Sequence, residues 1–246
     1  MTRTFRTYLL LISLLMPTSA QAVVWGYQGG GNDDEGWGTL SSDFTTCDLG
    51  HSQSPVDLSD PKASAMPPMK MHYRSAAMSM EKKDRTLVVS MRDPGYMTDE
   101  GHRWQLEEMR IHTPAEHEVA GKLEPAELHL IHRDDDGKLL IVAVFLDIRT
   151  EKNKALQAIL DKAPAKAGMT VPLTFDPTGL LPATKGYYAY SGSLSWPPCT
   201  EGVEWRVMKD PVAITKAQMK AIGALLGRNA RLLQPIYLRT VRQTIN

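Results

Sequence analysis

The stretch Arg103-Trp104-Gln105-Leu106-Glu107-Glu108-Met109-Arg110-Ile111-His112 reads as one long β-strand. Successive side chains of a strand point to opposite faces. Unbroken alternation puts Trp104, Leu106, Glu108, Arg110 and His112 on one face and Gln105, Glu107, Met109 and Ile111 on the other. Ala126 to His132 alternates too, with Glu127, His129 and Ile131 on one face and Leu128, Leu130 and His132 on the other. Asp134-Asp135-Asp136-Gly137 has turn chemistry, and the nearly continuous apolar run from Lys138 to Asp147 suits a central strand buried on both faces. The three segments are expected to be neighbours in one sheet.

Outward from this centre, Thr86-Leu87-Val88-Val89-Ser90 is another strand, and Pro61 to Pro68 is a proline-rich connector. Helical spacing appears over Glu151 to Ala163 and again over Thr215 to Leu226, where Thr215 is a suitable N-cap. Val23 to Gly50 is glycine-rich and acidic, anchored by Trp25, Tyr27 and Trp37, and is expected to lie irregularly across a preformed surface. The class is mainly β with a few short peripheral helices. At 246 residues and 42% hydrophobic content, one domain with a substantial core is the expectation.

Arg3 and Arg6 precede an apolar run from Tyr8 to Met16 that ends in Ala20-Gln21-Ala22. This pattern predicts a signal peptide over residues 1–22, removed after Ala22 to leave a domain over residues 23–246 in a secreted or periplasmic location. The run is shorter than the roughly 18 residues a membrane-spanning helix needs, so no span is expected in the mature chain. Lys plus Arg and Asp plus Glu each total 28, which leaves no net field to attract nucleic acid. In an exported chain the even count of cysteines predicts a disulfide between Cys47 and Cys199 rather than two buried thiols.

Several ordered stretches resemble the α-carbonic anhydrase family. They are Trp25-Gly26-Tyr27, Trp37 with Leu40 and Phe44, Cys47 through Gln53-Ser54-Pro55-Val56-Asp57, His112-Thr113-Pro114-Ala115-Glu116-His117, Pro125 through His132, Gly192 through Val203 with Trp205, and Asn229-Ala230-Arg231 with Gln234-Pro235. The resemblance implies a single domain around a large twisted, mostly antiparallel central sheet, with the site in a conical cleft. It also supports the bridge between Cys47 and Cys199.

The family holds zinc with three histidines, whose neutral imidazoles leave the metal one open position and acidify the water bound there. Matched residue by residue, His112 falls on the second ligand and His129 on the third, but the first ligand position is Arg110. A guanidinium has no lone pair and brings a permanent positive charge. Glu108 with Arg110 resembles an acatalytic branch, the carbonic anhydrase-related proteins, and their simplest relation is a salt bridge. Zinc, the cofactor of the family, is therefore expected to be absent or weakly bound.

Ser195 and Glu116 match the family's hydroxyl and carboxylate gate pair. Trp196 puts an indole into the cleft, and Arg85 stands at the position of the proton-shuttling histidine. Glu127, Ile131, Ile141, Leu194 and Val203 complete the expected cleft. His117 and His132 match structural histidines, while His51, His72 and His102 are expected at the surface. The leading expectation is a binding module with little or no CO2 hydration activity, for a small anion such as bicarbonate or for a protein partner. The alternative is an active carbonate dehydratase with an atypical metal site, for which Glu108 is the same-face carboxylate.

Overall fold

The structure is a computed structural model that describes residues 23–27 and 36–245. The leader expected over residues 1–22 lies outside the described residues. Among them no helix is long and apolar enough to cross a membrane.

Five strands, β1 (Lys62–Ser64), β2 (Lys70–Tyr73), β3 (Ala76–Lys83), β4 (Thr86–Met91) and β5 (Gly95–Asp99), lead to the long β6 (His102–His112). The proline-rich connector thus contains a short strand. A small hairpin of β7 (Glu118–Val119) and β8 (Lys122–Leu123) precedes β9 (Ala126–Arg133) and β10 (Leu139–Ile148). After these come β11 (Thr170–Phe175), β12 (Tyr187–Ser193), β13 (Glu201–Met208), β14 (Val212–Ile214) and β15 (Arg242–Thr244).

All but the small hairpin join one 13-stranded sheet, in the order β1, β15, β12, β13, β10, β9, β6, β4, β3, β11. β14 pairs with β10, and β5 pairs with both β6 and β2. The sheet is mixed. β10 runs parallel to β13 and β14, and β1 parallel to β15, while the other pairs are antiparallel.

β10 explains its own apolar run, because it separates two cores. Leu140, Val142, Val144 and Leu146 face the larger one, and Ile141, Ala143 and Phe145 face the smaller one that backs the site. β6 departs from the expected alternation. Leu106 stands opposite His132 but Glu108 opposite Ile131, so Glu107 is the extra residue of a β-bulge. The bulge flips the side-chain parity. Trp104 and Leu106 join Met109 and Ile111 in the larger core, leaving Glu108, Arg110 and His112 on the other face. This corrects the placement of Trp104 and Leu106 with Glu108, which assumed an unbroken strand.

The described residues before 50 include two single-turn α-helices, α1 (Trp37–Leu40) and α2 (Thr46–Leu49), with a 3-10 turn at Ser42–Phe44 between them. Cys47 on α2 is bonded to Cys199 across a separation of 152 residues. α3 (Lys154–Lys162) starts later than its periodicity suggests, because the Asn153 side chain accepts from the Leu156 N–H and sets the cap there. α4 (Lys216–Leu226) starts at Thr215, which forms a capping box with Gln218.

Candidate functional site

On the face of β6 freed by the bulge, Arg110 stands opposite His129 of β9 and His112 opposite Glu127. His112 and His129 are both fully buried, with ring centroids 4.5 Å apart. His112 Nδ1 lies 2.9 Å from the Asn229 carbonyl oxygen. A carbonyl only accepts, so Nδ1 carries the proton. His129 Nε2 lies 2.9 Å from Glu127 Oε1 and donates to it for the same reason. Burial pushes the His112 imidazole down to about 4 and lowers that of His129, which keeps both neutral. Each ring then has one bare nitrogen, His112 Nε2 and His129 Nδ1. Neither has a hydrogen-bond partner among the described residues.

Glu127 is the post behind this pair. Its Oε1 also accepts from His117 Nδ1 at 2.7 Å, and its Oε2 accepts the Glu116 and His117 backbone N–H groups, each at 2.8 Å. Burial alone would raise this carboxyl, but His117, with its charge and hydrogen bond, and the His129 hydrogen bond outweigh it and hold the group well below the usual range. His117 Nε2 continues the chain to Tyr190 Oη at 2.6 Å, and Tyr190 donates to Ser54 Oγ at 2.9 Å. Glu127 is 0% exposed, so it orients cleft residues without lining the cleft as expected.

Ser195 donates to Glu116 Oε2, and the Arg231 backbone N–H donates to Glu116 Oε1 at 2.9 Å. Burial pushes the Glu116 carboxyl up to about 7, with His129, Arg231 and Ser195 pulling the other way. Ser195 and Glu116, matched to the family's gate pair, are thus hydrogen-bonded to each other. Asn229, Arg231 and Tyr190, which orient this pair and its neighbours, were not assigned those roles, although Asn229-Ala230-Arg231 stood among the matching stretches.

Arg110 donates from Nε to Glu108 Oε1, as expected, and its guanidinium carbon lies 3.7 Å from the centroid of the Trp196 ring. Arg110 and Trp196 border two cavities. The outer one, of about 390 Å³, is also lined by Trp25, Tyr27, Lys83, Asp84 and Arg85. The other, of about 380 Å³, is lined by Glu108, Ile131, Arg133 and Leu194. His112, His129 and Ser195 line neither. Ile141 and Val203 are packed in the smaller core and line neither cavity, which corrects their placement on the cleft wall. His132 is buried on the opposite side of the sheet, while His51, His72 and His102 are exposed.

The two bare nitrogens point to a metal, and Glu116 brings a carboxylate into the same group, with donor atoms within 4.8 Å of one another. A zinc centre with an open position takes three protein donors. Glu116 has both oxygens engaged, Glu108 is bound to Arg110, and Arg110 has no lone pair. The residues present do not form a three-histidine set, and the third donor beside the two bare nitrogens is the hydrogen-bonded carboxylate of Glu116.

The family model for eukaryotic-type carbonic anhydrases matches residues 32–245. A carbonic anhydrase of Nostoc sp. is 34% identical over 93% of this chain and 89% of its own length. One of Neisseria gonorrhoeae is 34% identical over 88% of this chain and 86% of its own. Among solved structures, the α-carbonic anhydrase of Thermovibrio ammonificans in complex with the inhibitor sulfanilamide is similar at a TM-score of 0.86 and 34% identity. That match covers 90% of this chain and all of the other.

Proposed function

Because the chain belongs to the α-carbonic anhydrase family, we propose that it is an exported member with little or no CO2 hydration activity, acting as a binding module for a small anion. One observation carries this reading. Arg110, matched by sequence to the position of a third donor, stands opposite His129 with its guanidinium over Trp196, and His112 and His129 line neither cavity. A fixed cation at that place repels a dication and favours an anion. The basic start and the small-residue end of the first 22 residues support export.

The test is the zinc content of the purified protein after dialysis against a weak chelator, with stopped-flow CO2 hydration on the same sample. Substoichiometric zinc and hydration at the buffer rate are expected. Near-stoichiometric zinc with zinc-dependent hydration would overturn the reading. It would favour the second one, a carbonate dehydratase with an unusual third ligand. The two bare nitrogens favour that alternative, and Glu116 is nearer to them than the Glu108 suggested by the strand pattern.

A further inference from the structure

The anion can be specified further, on the reading that this protein is an anion-binding module. We infer that the outer cavity binds a small organic carboxylate with a flat apolar body, held by the terminal amino groups of Arg110 beside the Trp196 ring.

Arg110 commits only its Nε, to Glu108. Nη1 and Nη2 have no hydrogen-bond partner among the described residues, although the side chain is only 13% exposed. A guanidinium whose Nε is taken still has the edge between its two terminal amino groups, and that edge matches the spacing of a carboxylate. Glu108 and the Trp196 face fix the plane of this fork before any ligand arrives, which lowers the ordering cost of binding. Partial burial strengthens its charge-assisted hydrogen bonds.

The remaining lining defines the rest of the ligand. Of the other charged lining groups, Lys83 pairs with Glu81 at 3.4 Å and Arg85 is offset by the Asp84 carboxylate, so the open edge of the Arg110 guanidinium, and not net charge, is what selects an anion. Trp25, Tyr27 and Trp196 provide aromatic wall. A volume of about 390 Å³ lies in the usual range for small-molecule sites. Bicarbonate would use the fork and leave the aromatic wall uncovered, whereas a carboxylate on a ring would use both.

The probes are benzoate, its neutral analogue benzamide, and bicarbonate, titrated into the full processed protein by calorimetry and tryptophan fluorescence. Saturable benzoate binding is expected, at least about tenfold tighter than benzamide or bicarbonate. The charge-balanced double variant Glu108→Gln with Arg110→Gln should lose about tenfold in benzoate affinity. Trp196→Phe, which keeps a ring, should retain binding, and near-ultraviolet dichroism identifies any variant that has lost its fold. Equal binding of benzoate and benzamide, or unchanged binding by the double variant, would overturn the assignment to the Arg110 fork. Bicarbonate binding without benzoate binding would overturn the organic class and leave the anion-binding reading standing. No anion binding at all would overturn both.

Discussion

The Arg110 guanidinium carbon lies over the Trp196 indole, 3.7 Å from the ring centroid, and two cavities share that pair as a wall. Metal binding and access are therefore separate obstacles in this site. Arg110→His replaces a cation by a neutral donor beside the two bare nitrogens. Zinc per chain, measured by elemental analysis after dialysis, should rise from well below one to near one. Hydration should remain low until Trp196 is also reduced to a small residue such as threonine. Failure of the single variant to gain zinc would mean that His112 and His129 are not held in a ligand-ready arrangement.

The bridge between Cys47 and Cys199 ties α2 to the loop that carries Trp196. Closing a loop of 152 residues restricts the unfolded chain, for a model contribution of about 5 kcal/mol. Cys47→Ser with Cys199→Ser should lose roughly 3 to 5 kcal/mol in urea denaturation. A loss below about 1 kcal/mol would mean that the unfolded chain gains little freedom when the bond is removed.

Arg206 of β13 and Asp99 at the end of β5 form a buried ion pair, 2.8 Å from Nη2 to Oδ2, with side chains 4% and 2% exposed. Asp99→Ala leaves the guanidinium with the more exposed Glu204 carboxylate and the Trp205 carbonyl. The expected cost is about 3 to 5 kcal/mol of unfolding free energy. The double variant with Asp99→Leu and Arg206→Met should be clearly more stable than Asp99→Ala, because no buried charge remains. If the two variants are equally unstable, packing rather than charge is what this contact supplies.

His132 provides a pH signature away from the candidate site. Its Nδ1 donates to the Leu140 carbonyl at 3.3 Å, which favours the protonated ring, and its Nε2 lies 2.6 Å from Tyr73 Oη; burial works against protonation and wins. Burial pushes it down to about 4. An unfolded histidine takes up a proton near 6.5, so between about 6.5 and 4 the unfolded state binds more protons and stability falls with falling pH. His132→Gln removes this term. The stability advantage of the wild type over that variant should shrink by about 3 kcal/mol between pH 7 and pH 4 in denaturant titrations. An advantage independent of pH would mean that His132 titrates normally in the folded protein.

Much of this was legible from residue types. The run over Lys138 to Asp147 and the alternation of Ala126 to His132 found β10 and β9, and Thr215 found the start of α4. The bulge at Glu107 was missed by reading unbroken alternation, although the apolar positions change parity, from 104 and 106 to 109 and 111. The pair of Arg206 and Asp99 joins residues 107 positions apart, and nothing local to either signals the other. At the site, it was the family resemblance that brought His112, His129, Ser195 and Glu116 together. The stack of Arg110 on Trp196 needed coordinates, because it depends on how the loop before Cys199 returns over β6.

Glu127 gathers two histidine rings and two backbone N–H groups onto one buried carboxylate, and so pins the loop after β6 to the start of β9. His117 and His129 are thereby structural fasteners whatever the chemistry of the cleft. A lineage could abandon the reaction and still be unable to discard these side chains without loosening the sheet. Their presence in a chain of this family is a record of foldability, and the side chains at positions 110 and 196 are better witnesses to what the cleft does.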